Sequence, residues 1–381
     1  MLEDNHKRLK NFIFMYYNIW RCEFIPDFGW KFIKWIKTSI YPVNLLYGVF
    51  CMIWHFFIQM EDYGYDLALT IVYFFGVYQC FVVYYELMIN HRKDIFELLH
   101  FFDGFLRSDD LMISGLRRKH LRINTNLAIK WTRIFVIFIS FVGISVTIFH
   151  LFITDFSAPM LFTIPGLSKD NIFFYPANIF YGTFLYFSIL SNITTADAVI
   201  MITVLYFKSE FNFLTDFVAQ LDDYKVAKVK AEYILRVTHE NHRVTLMKIK
   251  ELTQFLWHLY FHKLFAIMIY LCCTLYIFQS LNSSLFIAVL IVGAMTSQIF
   301  ILCFFGQVIE NCSELLYNQF YMTKWYEMKP SEQRIFLLMM MSLQKPLRIS
   351  TFGFGNISIY TFVQICKAAG SYAAILYTVL N

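Results

Sequence analysis

Apolar positions along the chain collect into seven long blocks, at residues 39–60, 67–89, 131–154, 177–207, 259–281, 285–309 and 351–380. A helix needs roughly 20 apolar residues to cross the hydrocarbon of a bilayer, and each block supplies that. Only helices and closed barrels satisfy the backbone inside lipid, and these blocks are too long and too evenly apolar to be barrel strands. The fourth and seventh exceed one membrane thickness, so they tilt or project beyond it. Polar stretches between blocks keep a helical rhythm. Residues 208–258 carry Phe211, Leu214, Phe217, Leu221, Ile234 and Val237 at amphipathic spacing, which predicts that the fourth and fifth spans continue outside the membrane. Residues 310–345 carry Leu315, Leu316, Gln319, Phe320, Ile335, Leu338 and Met339 in the same way, with Pro330 dividing two helical pieces. Near the start, Phe12–Trp20 follows Lys7, Arg8 and Lys10 without a small-residue cleavage site, so it reads as an interfacial or packed helix rather than a signal peptide.

Composition agrees. Of 381 residues, 58% are hydrophobic and 15% charged, against about 25% charged in a soluble domain; mean hydropathy is +0.53. The placement of charge adds a direction. Segments 1–38, 90–130, 208–258 and 310–350 hold 28 of the lysines and arginines, whereas the alternating segments 61–66, 155–176, 282–284 and 381 hold only Lys169. Positive residues remain in the cytoplasm, so the N-terminus is expected inside and the C-terminus outside. The expected class is an all-α membrane protein of seven transmembrane helices, with a cytoplasmic N-terminal segment (1–38) and spans one to six in residues 39–309. Helices 4–6 extend into a cytoplasmic anchor completed by 310–350, and the last helix occupies 351–381.

Catalytic chemistry is not indicated. The ten histidines are scattered, and neither metal-ligand spacing nor a phosphate-binding glycine loop occurs. No enzyme activity, cofactor or nucleic-acid partner is expected. None of the eight cysteines falls in an outer segment, so structural disulfides are not expected, and Cys272-Cys273 reads as packing within a span. Among charges inside spans, Glu86, Asp197 and Glu310 fall near cytoplasmic ends and are expected to be wetted. Lys367, deep in the last span, is expected to face protein, where it can hydrogen-bond to carbonyls or pair with an acid. The outer segments carry Glu61, Asp62, Asp66, Asp155 and Asp170 against Lys169, a negative mouth that would concentrate cations.

Several short motifs near the C-terminus occur together: Gly306-Gln307-Val308-Ile309, Trp325-Tyr326, Gln344-Lys345-Pro346-Leu347, Thr351-Phe352 and Lys367-Ala368-Ala369-Gly370-Ser371-Tyr372, followed by a short apolar tail. Their order and spacing over Gly306–Asn381 resemble the C-terminal signature of insect odorant receptors. The resemblance implies a subunit of an odorant-gated, non-selective cation channel, a heterotetramer with co-receptor subunits in the plasma membrane of olfactory sensory neurons. It also implies that the cytoplasmic stretches form an anchor where subunits meet. Segment 208–258 is short beside the insertion that marks the co-receptor, so the chain resembles a tuning subunit. In the family the last helix lines the pore, and the apolar residue four positions after the serine is the gate. That residue here is Ile375, with Thr378 and Val379 completing the constriction and Tyr372 and Ser371 below. Helical spacing by itself puts Ala368, Tyr372, Ile375 and Val379 on one stripe with Ser371 and Thr378 beside it, a pattern that helix packing also explains.

The family's ligand pocket lies in the outer half, between the second, third, fourth and sixth spans. The positions of this chain at that depth are Thr70, Tyr73, Phe74, Ser140, Gly143, Thr147, His150, Phe180, Phe184, Phe286 and Leu290, with hydroxyls from Tyr73, Ser140 and Thr147. Such a pocket suits a small, volatile, mostly apolar molecule. Three alternatives differ in observable ways. A gustatory receptor channel of the same fold would end its last span on a different motif, to which Tyr360-Thr361-Phe362-Val363-Gln364 does not conform. A seven-span metabotropic receptor would have its N-terminus outside. A transporter would show paired broken helices.

Overall fold

The computed structural model describes residues 2–26, 31–58, 65–106, 111–153, 162–167, 170–280 and 285–380. Ten helices account for most of them: α1 (Leu2–Trp20), α2 (Lys31–Ile58), α3 (Tyr65–Tyr84), α4 (Arg92–Leu106), α5 (Leu111–Ile153), α6 (Phe174–Ala219), α7 (Tyr224–Ser280), α8 (Leu285–Met322), α9 (Pro330–Leu343) and α10 (Ile359–Leu380). A π-helical turn, Tyr85–Asn90, joins α3 to α4. Seven of the helices (α2, α3, α5, α6, α7, α8 and α10) are long and apolar enough to cross a membrane, and they correspond in order to the seven apolar blocks. Outer acids Glu61, Asp62 and Asp155, with Lys169, lie outside the described residues, and the side chain of Asp66 is likewise outside the description.

The long helices extend well past a bilayer. At about 1.5 Å per residue, the 57 residues of α7 reach roughly 85 Å, far beyond the roughly 30 Å of hydrocarbon. The amphipathic positions that predicted these extensions are where burial is greatest: Phe211, Leu214, Phe217, Leu221 and Ile234 are all buried. The break between α6 and α7 falls at a 3-10 turn, Gln220–Asp222. The third span extends too. α5 runs 43 residues, and its polar end is tied down by Arg117, whose guanidinium donates to Glu210 on α6 (Nε to Oε2, 3.0 Å; Nη2 to Oε1, 2.5 Å) and to Asn241 Oδ1 on α7 (2.8 Å). The same guanidinium lies 4.6 Å from the Phe213 ring. One side chain thus fastens three helices, a use that suits the planar, multidentate arginine.

α6 is the central element. It touches α5, α8, α7 and α3, and 78% of its most apolar stretch is buried, against 22% for α10. A helix apolar on every side belongs in the middle of a bundle. Polar contacts mark where neighbours dock on it. Tyr16 of α1 donates to Asn192 Oδ1 (3.0 Å), while Asn192 Nδ2 reaches Cys80 Sγ on α3 (3.2 Å), and Tyr41 of α2 contacts the same sulfur at 2.9 Å. Four helices meet on one amide. The N-terminal helix is therefore packed rather than interfacial, with Leu9, Ile13, Tyr16 and Tyr17 buried. Asp103 of α4 reinforces it by accepting from Lys10 Nζ (2.6 Å) and pairing with His6 Nε2 (2.7 Å). Partial burial opposes ionisation of this carboxyl, but the hydrogen bonds from Lys10 and His6 and the lysine charge outweigh it and hold the pKa below the usual aspartate value.

One expectation about charge changes. Asp197 is not wetted: it is completely buried on α6 and paired with Lys263 of α7, which is also completely buried. Lys263 Nζ donates to Asp197 Oδ1, while Asp197 Oδ2 is buried with no hydrogen-bond partner among the described residues. Glu86 and Glu310 do lie nearer solvent, each with partners: Glu86 beside His91 at 3.5 Å, and Glu310 accepting from Arg348 Nε at 2.6 Å.

The last helix also begins later than its composition suggests. Residues 351–358 are not helical. Ser350–Thr351 pairs antiparallel with Gly355–Asn356, around a turn in which Gly353 and Gly355 adopt φ of +74° and +70°, a region that costs glycine little. This hairpin is pinned to α7 by Thr351 Oγ1 donating to Trp257 O (2.6 Å) and to α8 at Gly306, where an added Cβ would overlap the Ile357 carbonyl oxygen. Downstream of α8, Pro330 opens α9 in the first helical turn, where a missing N–H costs nothing.

Breaking one half of a buried ion pair costs about 3–5 kcal/mol, whereas replacing both halves is often near neutral. Lys263→Met alone should therefore strongly depress the thermal midpoint of the detergent-solubilised chain in size-exclusion melting. Asp197→Leu combined with Lys263→Met should recover most of the loss. Equal losses for the single and double variants would show that the two charges do not act as a unit.

Candidate functional site

α10 packs on α7 and α8 through one narrow face. Thr361, Ile365, Ala369 and Ala373, spaced by four, are buried to 6% exposure or less. The opposite face is open along its length: Tyr360, Val363, Gln364, Lys367, Ser371, Ala374, Ile375 and Thr378 are all exposed. Small residues on the buried face let the helix lie close to its neighbours, and the open face carries most of its polar groups. Ser371 and Thr378 satisfy their hydroxyl protons within the helix, donating to Lys367 O (3.0 Å) and Ile375 O (2.8 Å). Their remaining lone pairs point away from the backbone.

Of the gate residues expected from sequence, Ile375 is 56% exposed and Tyr372 55%, with Ser371 and Thr378 also on open surface; the side chain of Val379 lies outside the description. The stripe Ala368–Tyr372–Ile375 runs along one edge of the open face rather than its centre, and Ala368 is half-buried. Lys367 is the clearest departure. Within the chain it does not turn into protein but sits exposed at the middle of the open face. The packing side of α10 is filled by small residues that leave no room for a lysine.

The expected ligand positions separate into several places. Thr70 and Phe74 line an apolar cavity of about 210 Å³ with Met52, Ile53, Phe56, Phe57 and Ile71, between α2 and α3. Ser140 lines a second space of about 80 Å³ between α5 and α6, with Phe187, Ser191 and Thr195 among its walls. Gly143 receives Leu190 closely, and Thr147 donates its hydroxyl to Gly143 O at 2.9 Å, inside its own helix. Leu290 packs on the small cluster of Phe135, Ile139, Val142 and Ala294. Tyr73 is packed against the main core, and His150 is half-buried. Phe180 and Phe184 face outward, 76% and 54% exposed, as lipid-facing aromatics do. The side chain of Phe286 lies outside the description. Sequence reasoning missed α2 as a cavity wall. The signal was available in the aromatic pair Phe56-Phe57 opposite Phe74, but aromatic residues are too frequent here for a pair to stand out.

Two of the C-terminal motifs are fastened between α8 and the segment that leads into α10. Gly306 on α8 abuts Ile357, Ser313 Oγ accepts from Leu347 N at 3.1 Å, and Arg348 reaches Glu310. A family model described as 7tm Odorant receptor matches residues 59–370. This chain belongs to the odorant receptor family. Two curated members from Drosophila melanogaster are similar over shorter stretches: odorant receptor 94a is 32% identical over 101 residues, 26% of each chain, and odorant receptor 2a is 28% identical over 86 residues, 23% of this chain and 22% of that one. The chain thus spans about a quarter of the length of those relatives. In fold the likeness extends over nearly the whole chain. The insect olfactory receptor OR5 from Machilis hrabei, in complex with eugenol, superposes with a TM-score of 0.78 over 98% of this chain and 100% of that one at 13% identity. The structure of OR5 described without eugenol gives 0.77 with the same coverage and identity.

The open face of α10 in this family member has a direct test. Single cysteines at Lys367, Ser371 and Thr378 should react with a water-soluble, membrane-impermeant thiol reagent in assembled receptors, while cysteines at Ala369 and Ala373 should be protected. Protection at all five positions would mean that the open face meets lipid or protein instead of water.

Proposed function

We propose that this odorant receptor is the odorant-binding subunit of a heteromeric, ligand-gated, non-selective cation channel in the plasma membrane of olfactory sensory neurons, with co-receptor subunits as its partners. The observation that carries the reading is the unpartnered face of α10. A membrane-spanning helix packed on only one side, with hydroxyls and a lysine on the other, is incomplete in lipid. Intramembrane charges face bundle interiors or water-filled spaces, so that face is completed by other subunits around a shared axis. Ile375, Thr378 and Val379 then form the narrow part, with Tyr372 and Ser371 on the cytoplasmic side of them. Apolar β-branched side chains close such a passage by dewetting.

Further support comes from the other end of the molecule. Beyond the membrane, Trp325, Tyr326, Leu337, Leu338 and Met341 are all 46% exposed or more. Adjacent apolar side chains of this size on a soluble surface mark a contact with another chain, which fits the anchor role of segment 310–350. The charge asymmetry between alternate segments supports a cytoplasmic N-terminus and an extracellular C-terminus.

For the ligand, the α2–α3 cavity with Thr70 and Phe74 is the preferred contact. It lies in the outer half of the membrane in this orientation, and its walls are apolar. A small organic molecule would bind there by burial, at about 25 cal/mol per Å². The complex of OR5 with eugenol supports a small organic ligand in this fold. Ligand binding opens the channel only to the extent that the open state binds it better.

Co-expression with a co-receptor should give odour-evoked cation currents for at least one member of a broad odorant panel. Silence despite surface delivery would sink the channel reading. In a responding receptor, Ile375→Ala should raise basal leak or alter ion selectivity, because a smaller side chain no longer dewets the passage. Phe74→Ala should shift the dose–response curve by about tenfold, as expected for roughly 1–3 kcal/mol of lost aromatic burial, without changing basal leak. An unchanged curve would move the ligand away from the α2–α3 cavity.

A further inference from the structure

α10 carries a single charged side chain, Lys367, and no acid that could pair with it along the helix. Its place on the helix is informative. Thr361, Ile365, Ala369 and Ala373 form the buried face that lies against α7 and α8. At about 100° per residue, that face is centred about 180° around the axis from Lys367. The lysine therefore projects from the centre of the open face, directly away from the other helices of its own chain. Ser371, Ala374 and Thr378 are exposed on the same face, each within about 40° of its azimuth. The hydroxyls and the ammonium form one polar stripe, with the charge at its lower end.

This arrangement ties the lysine to the narrow part of the passage. Thr378 stands at nearly the same azimuth as Lys367, about 20° away, and about 16 Å further along the helix. A helix standing along a shared axis that turns Thr378 toward that axis also turns Lys367 toward it. Charged side chains lining a passage set which ions it admits. An ammonium there repels a divalent cation twice as strongly as a monovalent one at the same distance. A lysine that instead snorkelled to lipid headgroups would act on neither, so the two surroundings are separable by measurement.

We propose that Lys367 is a selectivity-determining residue: facing the passage on the cytoplasmic side of the gate, its ammonium lowers the permeability of divalent cations relative to monovalent ones. The proposal rests on the channel reading of the open face given above. For an ion passing about 6 Å from the ammonium in water-filled surroundings, the second charge lowers relative occupancy roughly two- to threefold after screening by salt. The passage stays permeable to cations because this chain supplies only part of a heteromeric ring.

The test uses the full chain co-expressed with a co-receptor. Reversal potentials of odour-evoked currents are measured with sodium and then calcium as the main external cation. Lys367→Gln should raise the calcium-to-sodium permeability ratio roughly two- to threefold, and Lys367→Glu should raise it further. Lys367→Arg should keep the native ratio. Charge can also be restored chemically. In Lys367→Cys receptors, a methanethiosulfonate bearing a trimethylammonium group, applied from the cytoplasmic side, should return the raised ratio toward the native value. A sulfonate-bearing reagent of similar size should raise it. The same channels are recorded before and after each reagent, so opposite shifts cannot arise from misfolding. Odour-evoked currents with one and the same ratio in the native, glutamine and glutamate receptors, or equal effects of the two reagents, would overturn the proposal and leave the channel reading intact. Absence of any odour-evoked current from the native complex would overturn that reading, and the proposal with it.

Discussion

Helices in lipid gain nothing from apolar contact with one another that they do not already gain from acyl chains, so polar and close-packed contacts must specify how they associate. This constraint organises the whole bundle. α6 holds its neighbours through a small number of polar side chains at different depths: Asn192 for α1, α2 and α3, Asp197 for α7, and Glu210 for α5. Each lies on a different turn of one helix and each is buried. The apolar remainder of α6 could slide or rotate against its neighbours with little change in energy. The three polar anchors forbid it, because an unpaired buried charge or amide costs far more than the pairing returns.

The same constraint explains which parts of the structure were legible from the sequence. Span number and order follow from apolar run length, and all seven blocks are helices of the bundle. The amphipathic positions of 208–258 identified extensions and their inner faces together, because outside the membrane water restores the ordinary difference between apolar and polar sides; Phe211, Leu214, Phe217 and Leu221 are all buried. Inside the membrane that signal fails. A charged residue near the end of an apolar block looks the same whether it reaches water or a partner on another helix. Asp197 was therefore misread, and only the position of Lys263, 66 residues away, resolves it. The start of α10 was obscured for a different reason: residues 351–358 carry no charge and include Phe352, Phe354 and Ile357, so they read as continuous with the helix, although Gly353 and Gly355 turn the chain there.

Of the candidate ligand positions, Thr70, Phe74 and Ser140 line cavities, but not the same one. Which span faces which is not encoded in one helix with apolar residues on all sides, and the expected set divided between the α2–α3 cavity, the α5–α6 space and the lipid surface. Gly143 and Thr147 fell to packing: the glycine receives Leu190, and the threonine bonds back to it. In a chain with 44 phenylalanines and 25 tyrosines, an aromatic residue at the right depth carries little information about what it touches.

α10 differs from every other span in what it lacks. Its buried face is a row of small residues, adequate to seat it against α7 and α8 but contributing little area, and 22% burial of its apolar stretch is the least in the bundle. What fixes it is the segment before it. Arg348 is tied to Glu310, Leu347 N to Ser313, Thr351 to Trp257, and Ile357 is seated in the notch at Gly306. The helix is thus clamped firmly at its first turn and only lightly along its length. Along its length it lies on α7 and α8 with one face, through Thr361, Ile365, Ala369 and Ala373, and leaves the other face open. The lysine, hydroxyls and isoleucine on its other side stay exposed within the chain, so under the proposed channel reading their surroundings come from neighbouring subunits, and the polar character of that face is explained by contacts this chain alone does not make.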